Sequence, residues 1–93
     1  MQKRTEIEKN VSMEFGIWLQ DIRYEQGLTR EKACDKLPDG LISNDSIKRH
    51  ELGKTMPNFY QFLLYLLLYG IDDNAIVALL NELKSKIIKL IQE

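Results

Sequence analysis

Apolar residues in this chain recur at steps of three and four rather than two, the spacing of helix faces and not of strands. Between Met13 and Gln26, the residues Phe15, Leu19, Ile22 and Gln26 fall on one stripe with Trp18 beside it. Ser12 is placed to cap such a helix, Glu14 lies in its first turn where the dipole favours an anion, and Gly27 is placed to end it. Thr29 heads a short second helix, Arg30 to Leu37, and Pro38-Asp39-Gly40 stops it. Proline disfavours helical geometry in the residue before it, and Asp-Gly is turn chemistry. Ser43 caps a third helix, about Asn44 to Leu52, which Gly53 closes. Pro57 stands at the edge of a fourth, roughly Asn58 to Tyr69, ended by Gly70; Asp72 and Asp73 open a fifth that runs towards Glu93. The pattern predicts an all-α chain of five helices without strand or internal repeat.

The two ends carry different patterns. Residues 1–12 hold Lys3, Arg4, Glu6, Glu8 and Lys9 against only Ile7 and Val11 as apolar anchors, which predicts a flexible N-terminal arm. Near the C-terminus, Ile76, Leu80, Leu83, Ile87 and Leu90 alternate steps of four and three, a heptad-like seam widened by Leu79, Ile88 and Ile91. One side of this helix is expected to pack on the fourth. The stripe is wider than a five-helix domain needs, so residues 74–93 are expected to pair with a second copy through that seam. The expected organisation is an arm over 1–12, a helical domain over 13–73 and a pairing helix over 74–93.

Composition narrows the function. At 93 residues the chain has room for one domain, and a formal charge of −1 excludes a binder that works by bulk positive charge. Any nucleic-acid reading then depends on where individual cations sit. The single Cys34 excludes an internal disulfide and a CxxC zinc site; it reads as a small packing residue. The only histidine, His50, reads as a packing residue too. There is no nucleophile–base pair, phosphate-binding glycine loop or cluster of metal ligands in the pattern, so neither an enzyme nor a cofactor is expected. The most apolar run, Phe59 to Tyr69, is about half the roughly 20 residues a membrane span requires. No apolar run follows the basic residues of the N-terminus, so no secretory signal is read there. A cytoplasmic location, where the thiol stays reduced, is the expectation.

The third helix is the informative segment. Ile47, His50 and Glu51 share one face at i, i+3 and i+4, while Asn44, Asp45, Lys48, Arg49 and Leu52 lie away from it. The outward face thus mixes hydrogen-bond donors and acceptors. That mixture suits base edges in a DNA major groove, which is wide enough to admit a helix.

With LQDIRYEQGLT, LTREKACDKL and SNDSIKRHELGKTMPN in this order, the chain resembles the Xre/Cro-like helix-turn-helix family, that of the lambda-type phage repressors. The resemblance covers Phe15 to Gly70, and it rests on order and spacing rather than on any one motif. It implies a five-helix lambda-repressor-like domain with an extended C-terminal helix, here acting as a DNA-binding repressor of a phage or mobile element. Arg23 and Glu51 match the pair that joins the first and third helices. Asn44, Asp45, Lys48 and Arg49 fall where base contacts are expected: Arg49 suited to guanine, Asn44 to adenine, Asp45 to the amino group of cytosine. Thr29, Arg30, Ser43, Lys54 and Asn58 sit at helix ends and loops that would meet the DNA backbone. Three positions depart from the pattern: the turn at Pro38-Asp39-Gly40-Leu41-Ile42 is longer, Cys34 stands where the family favours alanine, and His50 replaces an apolar residue. The implied partner is double-stranded DNA with a palindromic operator, bound by a homodimer. The alternative expectation, drawn from the acidic balance and the apolar C-terminal helix, is a module that binds another protein, as an antitoxin, antirepressor or adaptor.

Overall fold

The computed structural model describes residues 3–93. It folds them into α1 (Lys3–Glu25), α2 (Arg30–Asp35), a 3-10 turn (Pro38–Gly40), α3 (Asn44–Glu51), α4 (Phe59–Tyr69) and α5 (Asp73–Gln92). The helices start where short polar side chains satisfy the first free amides. Thr29 Oγ1 accepts from the Lys32 amide at 3.1 Å, Ser43 Oγ from Ser46 at 3.0 Å, and Asp72 Oδ1 from Ala75 at 2.8 Å. Asn58 and Gln61 cap reciprocally, each side-chain oxygen accepting from the other's backbone N–H. Gly70 ends α4 in the left-handed conformation. Between α2 and α3 the extra residues wind into one 3-10 turn, with Asp39 at φ 55°, a conformation aspartate tolerates better than most side chains.

All five α-helices meet in one core. Phe15 and Leu19 come from α1, Ala33 from α2, Ile47 from α3, Tyr65, Leu68 and Tyr69 from α4, and Leu79 and Leu83 from α5, with Ile42 supplied by the loop before α3. Ala33, not Cys34, is the wholly buried small residue of α2; Cys34 is half-buried beside it.

The N-terminus departs from the expected flexible arm. From Lys3 onward the arm is the first part of α1, and only residues 1 and 2 of it lie outside the described residues. The cause is tertiary. Val11 packs on the core, and Ile7 and Val11 share a cleft with Ile87 of α5. Lys3 Nζ donates to the Glu93 carbonyl at 3.3 Å, and Lys86 Nζ lies 3.9 Å from Glu14 Oε2, so α1 and α5 run antiparallel along one another. An Arg4–Glu8 pair at i, i+4 adds local support. Ser12, expected to cap, lies mid-helix instead.

The same contact corrects the expected pairing seam. Leu83 and Leu90 are buried, Ile76 and Ile87 are half-buried, and only Leu80 of the five stands exposed. The seam is used within the chain, because α1 is longer than its sequence suggests and covers it.

α1 crosses α3 at Gly16. A Cβ there would lie 2.5 Å from the His50 carbonyl oxygen and 2.6 Å from that of Glu51. Hydrogen alone lets the two backbones approach, and this contact sets how deeply the rear of α3 seats. Gly16→Ala gains about 1 kcal/mol of helix propensity, but it must push two backbone carbonyls away. The expected outcome is a net loss of about 1–3 kcal/mol, read as a lower midpoint in urea unfolding followed by circular dichroism.

Candidate nucleic-acid interface

α3 is held from behind by one apolar and two polar side chains. Ile47 is wholly buried, and His50 and Glu51 are nearly so. The Glu51 carboxylate receives Arg23 Nε at 2.7 Å on one oxygen; Arg23 Nη2 at 2.9 Å and Arg30 Nε at 3.0 Å meet the other. Arg23 Nη1 also donates to the Leu28 carbonyl at 2.8 Å, closing the turn that joins α1 to α2. Hydrogen bonding to Glu51 raises the Arg23 pKa, so the guanidinium stays charged. Removing one partner of such a pair strands a buried charge at about 3–5 kcal/mol. Here the lock has two cations, from α1 and α2, on one anion from α3. The expected Arg23–Glu51 pair is therefore present, and Arg30 joins it. Arg30, assigned by resemblance to the DNA backbone, is half-buried with its guanidinium committed to Glu51.

His50 performs the corresponding task towards α4. Its Nδ1 lies 2.7 Å from the Tyr65 hydroxyl, both groups are buried, and the rings meet edge to face. Tyr65 stacks in turn on Tyr69, whose carbonyl accepts from Gln26 Nε2 at 2.7 Å. Burial pushes the Tyr69 hydroxyl pKa up to about 12, moves that of Tyr65 further the same way, and lowers that of His50.

With its rear fixed, α3 turns Asn44, Asp45, Lys48 and Arg49 to solvent. Arg49 Nε lies 3.1 Å from Asp45 Oδ2, one helical turn away, so two of the four candidate base readers hold each other. Lys48 and Lys54 are exposed, and neither forms an ion pair among the described residues. Thr29, Ser43 and Asn58 are exposed too, their side-chain oxygens engaged as caps.

Thr29, Arg30 and Asn44 line one open hollow of about 380 Å³, and Glu31 and Tyr24 line it with them. Glu31 thus sets an acid beside the candidate face. Lys54 belongs to a different cleft, which it lines with Lys9, Glu8 and Ser12. Lys9 beside Lys54 was missed by the sequence reading, since its placement depends on α1 continuing through the expected arm. Gly16 was missed as well, although a glycine inside a helical pattern is itself a sign of close approach.

Among the described residues no group of histidine, cysteine and carboxylate side chains is arranged to hold a metal ion, and no helix is long and apolar enough to cross a membrane. Comparison of the chain with known protein families, curated proteins and solved structures yields no match.

The buried His50 gives the lock a pH dependence. Unfolded imidazole takes its proton near 6.5, whereas burial delays protonation in the folded chain. The unfolded state therefore binds more protons just below that pH, and stability falls as pH is lowered through it. The expected result is full stability above about pH 7 and a declining unfolding free energy towards pH 5. His50→Gln should flatten that slope, whatever it does to stability at neutral pH; an unchanged slope would contradict the assignment.

Proposed function

We propose that this chain is a sequence-specific DNA-binding transcriptional regulator of the Xre/Cro-like helix-turn-helix type, serving as a repressor of a phage or other bacterial mobile element, with α3 entering the major groove. The observation that carries this reading is the division of α3 into two faces. Ile47, His50 and Glu51 are buried while Asn44, Asp45, Lys48 and Arg49 stand exposed together. On this reading Arg49 grips guanine O6 and N7, Asn44 meets adenine, Lys48 stands with them as a base contact, and Lys54 supplies a phosphate contact.

The Asp45–Arg49 pair adds a consequence. An exposed pair at i, i+4 is worth about 0.5 kcal/mol or less, so a base can displace Asp45 from Arg49 at little cost. Until then the carboxylate neutralises the arginine and repels phosphate, which holds down binding to random sequence. With a net charge of −1, the chain then relies on few, well-placed contacts. Such a chain gains by acting as a pair, with two recognition helices about 34 Å apart on a palindrome.

A second reading is favoured by one observation, the exposed apolar side chains of α4, Phe59 and Leu67 among them. It makes the chain an antitoxin, antirepressor or adaptor whose partner is another protein.

The deciding experiment is an unbiased selection of bound duplexes from random DNA. The expected outcome is a palindromic sequence logo, with affinity falling steeply as salt rises. On the selected site Arg49→Ala should cost about 1–3 kcal/mol and relax preference at one position of each half. Asp45→Ala should instead strengthen binding to random duplex. Selection that enriches no sequence, while the chain co-purifies with a fixed protein partner, would move the assignment to the second reading.

A further inference from the structure

The first part of α1, from Lys3 to Glu14, precedes the segment that resembles the helix-turn-helix family. Its turns form against α5, where Ile7 and Val11 share a cleft with Ile87. They also pass beside the turn that follows α3. Gly53 stands there in the left-handed conformation at φ 73°, and a Cβ on it would lie 2.9 Å from the Met13 Cα. Glycine thus lets the backbone of α1 touch the backbone of this turn. Lys54 is anchored on the same turn. Its amide donates to the Arg49 carbonyl at 3.0 Å, and the Gly53 amide donates to that of His50 at 3.1 Å.

Lys9 lies one helical turn before Met13, so the contact at Gly53 sets Lys9 against Lys54. The two lysines line one open cleft of about 250 Å³ together with Thr5, Ser12 and Glu8. Thr5, Lys9 and Ser12 follow one another at i, i+4 and i+7 along one face of α1. Both lysines are exposed, and neither forms an ion pair among the described residues. The acid of the cleft, Glu8, is already paired with Arg4 at 2.9 Å. Two ammonium groups and two hydroxyls therefore line a hollow whose carboxylate is engaged elsewhere.

We propose that Lys9 and Lys54 together grip one phosphate of the DNA backbone at the C-terminal end of α3, which makes the first half of α1 part of the interface. The inference deepens the proposed function and rests on its reading that α3 enters the major groove. α3 has eight residues and is about 12 Å long, close to the width of that groove, about 12 Å. A helix of this length with its first turn at the base edges brings its last turn to the phosphates of the groove wall. Lysine meets phosphate as a point charge on a flexible stem, so two of them close on one phosphate without a fixed fork. In a chain of net charge −1, phosphate affinity has to come from a place where cations outnumber free acids, and this cleft is such a place. The grip also ties DNA affinity to α5, because the turns that carry Lys9 hold their helix against it.

The test is duplex binding by the full chain, followed by fluorescence anisotropy over a series of salt concentrations, on the selected site and on random duplex. Lys9→Gln should weaken both by the same factor, about fivefold near physiological salt, and lower the slope of log affinity against log salt by about one. Helix content by circular dichroism should not change, since Lys9 is exposed. Lys9→Arg keeps the charge and should restore most of the affinity. The losses from Lys9→Gln and Lys54→Gln should fall short of multiplying, because the two side chains share one phosphate. Lys89→Gln makes the same change of charge on α5, beside a different hollow, and should leave binding unchanged. Wild-type affinity and slope in Lys9→Gln overturn the proposal. So does an equal loss in Lys89→Gln, which would report net charge and no grip, and so does full multiplication of the two losses. A wild type that binds no duplex overturns the DNA reading and the grip together, whereas binding that ignores Lys9 overturns the grip alone.

Discussion

A carboxylate removed from water has to be answered by positive charge, and Glu51 is answered twice. Its side chain is fully buried, with Arg23 from α1 and Arg30 from α2 on its two oxygens. Buried ion pairs add little net stability compared with apolar contacts of the same size, because desolvation offsets the attraction. They are demanding about geometry, however. Slippage of α3 by one residue would carry Glu51 away from both guanidinium groups and leave three charges stranded. The lock therefore selects one rotation of α3, and Gly16 selects one depth by letting the α1 backbone meet the His50 and Glu51 carbonyls. On the other side His50 and Tyr65 make the same kind of demand between α3 and α4.

Once rotation and depth are fixed, the outer face follows by helical spacing alone. Asn44, Asp45, Lys48 and Arg49 stand where the i, i+3, i+4 pattern puts them when Ile47, His50 and Glu51 point inward. A rigid rear with an adaptable front suits recognition, since side chains positioned by a fixed scaffold lose less entropy on binding. The Asp45–Arg49 pair offsets one of the two cations on that face.

Much of this was legible in the sequence. The starts of α2, α3 and α5 and the ends of α1 and α4 follow from Thr29, Ser43, Asp72, Gly27 and Gly70, because capping is local chemistry. The two faces of α3 and the Arg23–Glu51 pair were legible for a related reason: a lone glutamate on an apolar face needs a cation, and Arg23 is the counterpart the resemblance supplied. The tie of Arg30 to Glu51 was not legible, because a cation near a helix start looks the same whether it faces solvent or completes an internal lock. The first turns of α1 were misread because Lys3–Ser12 has too few apolar residues to hold a helix alone; the helix forms against α5, a partner far away in sequence. Gly16 was visible as a locally unfavourable residue, but its purpose exists only once α3 lies across it.

The errors at the two ends of the chain are one error. A heptad-like stripe states that an apolar face needs cover, not which element supplies it. Taking the N-terminal segment as loose left α5 uncovered and made its seam look like a pairing surface. With α1 laid along α5, Leu83 and Leu90 are covered internally, while Ile88 and Ile91 stay exposed on α5 and Phe59 and Leu67 on α4. On the proposed function, a chain with net charge −1 gains affinity when two copies bind one site, because the second contact is made at high effective concentration. α4 carries no charged side chain, and its Phe59 and Leu67 stand exposed.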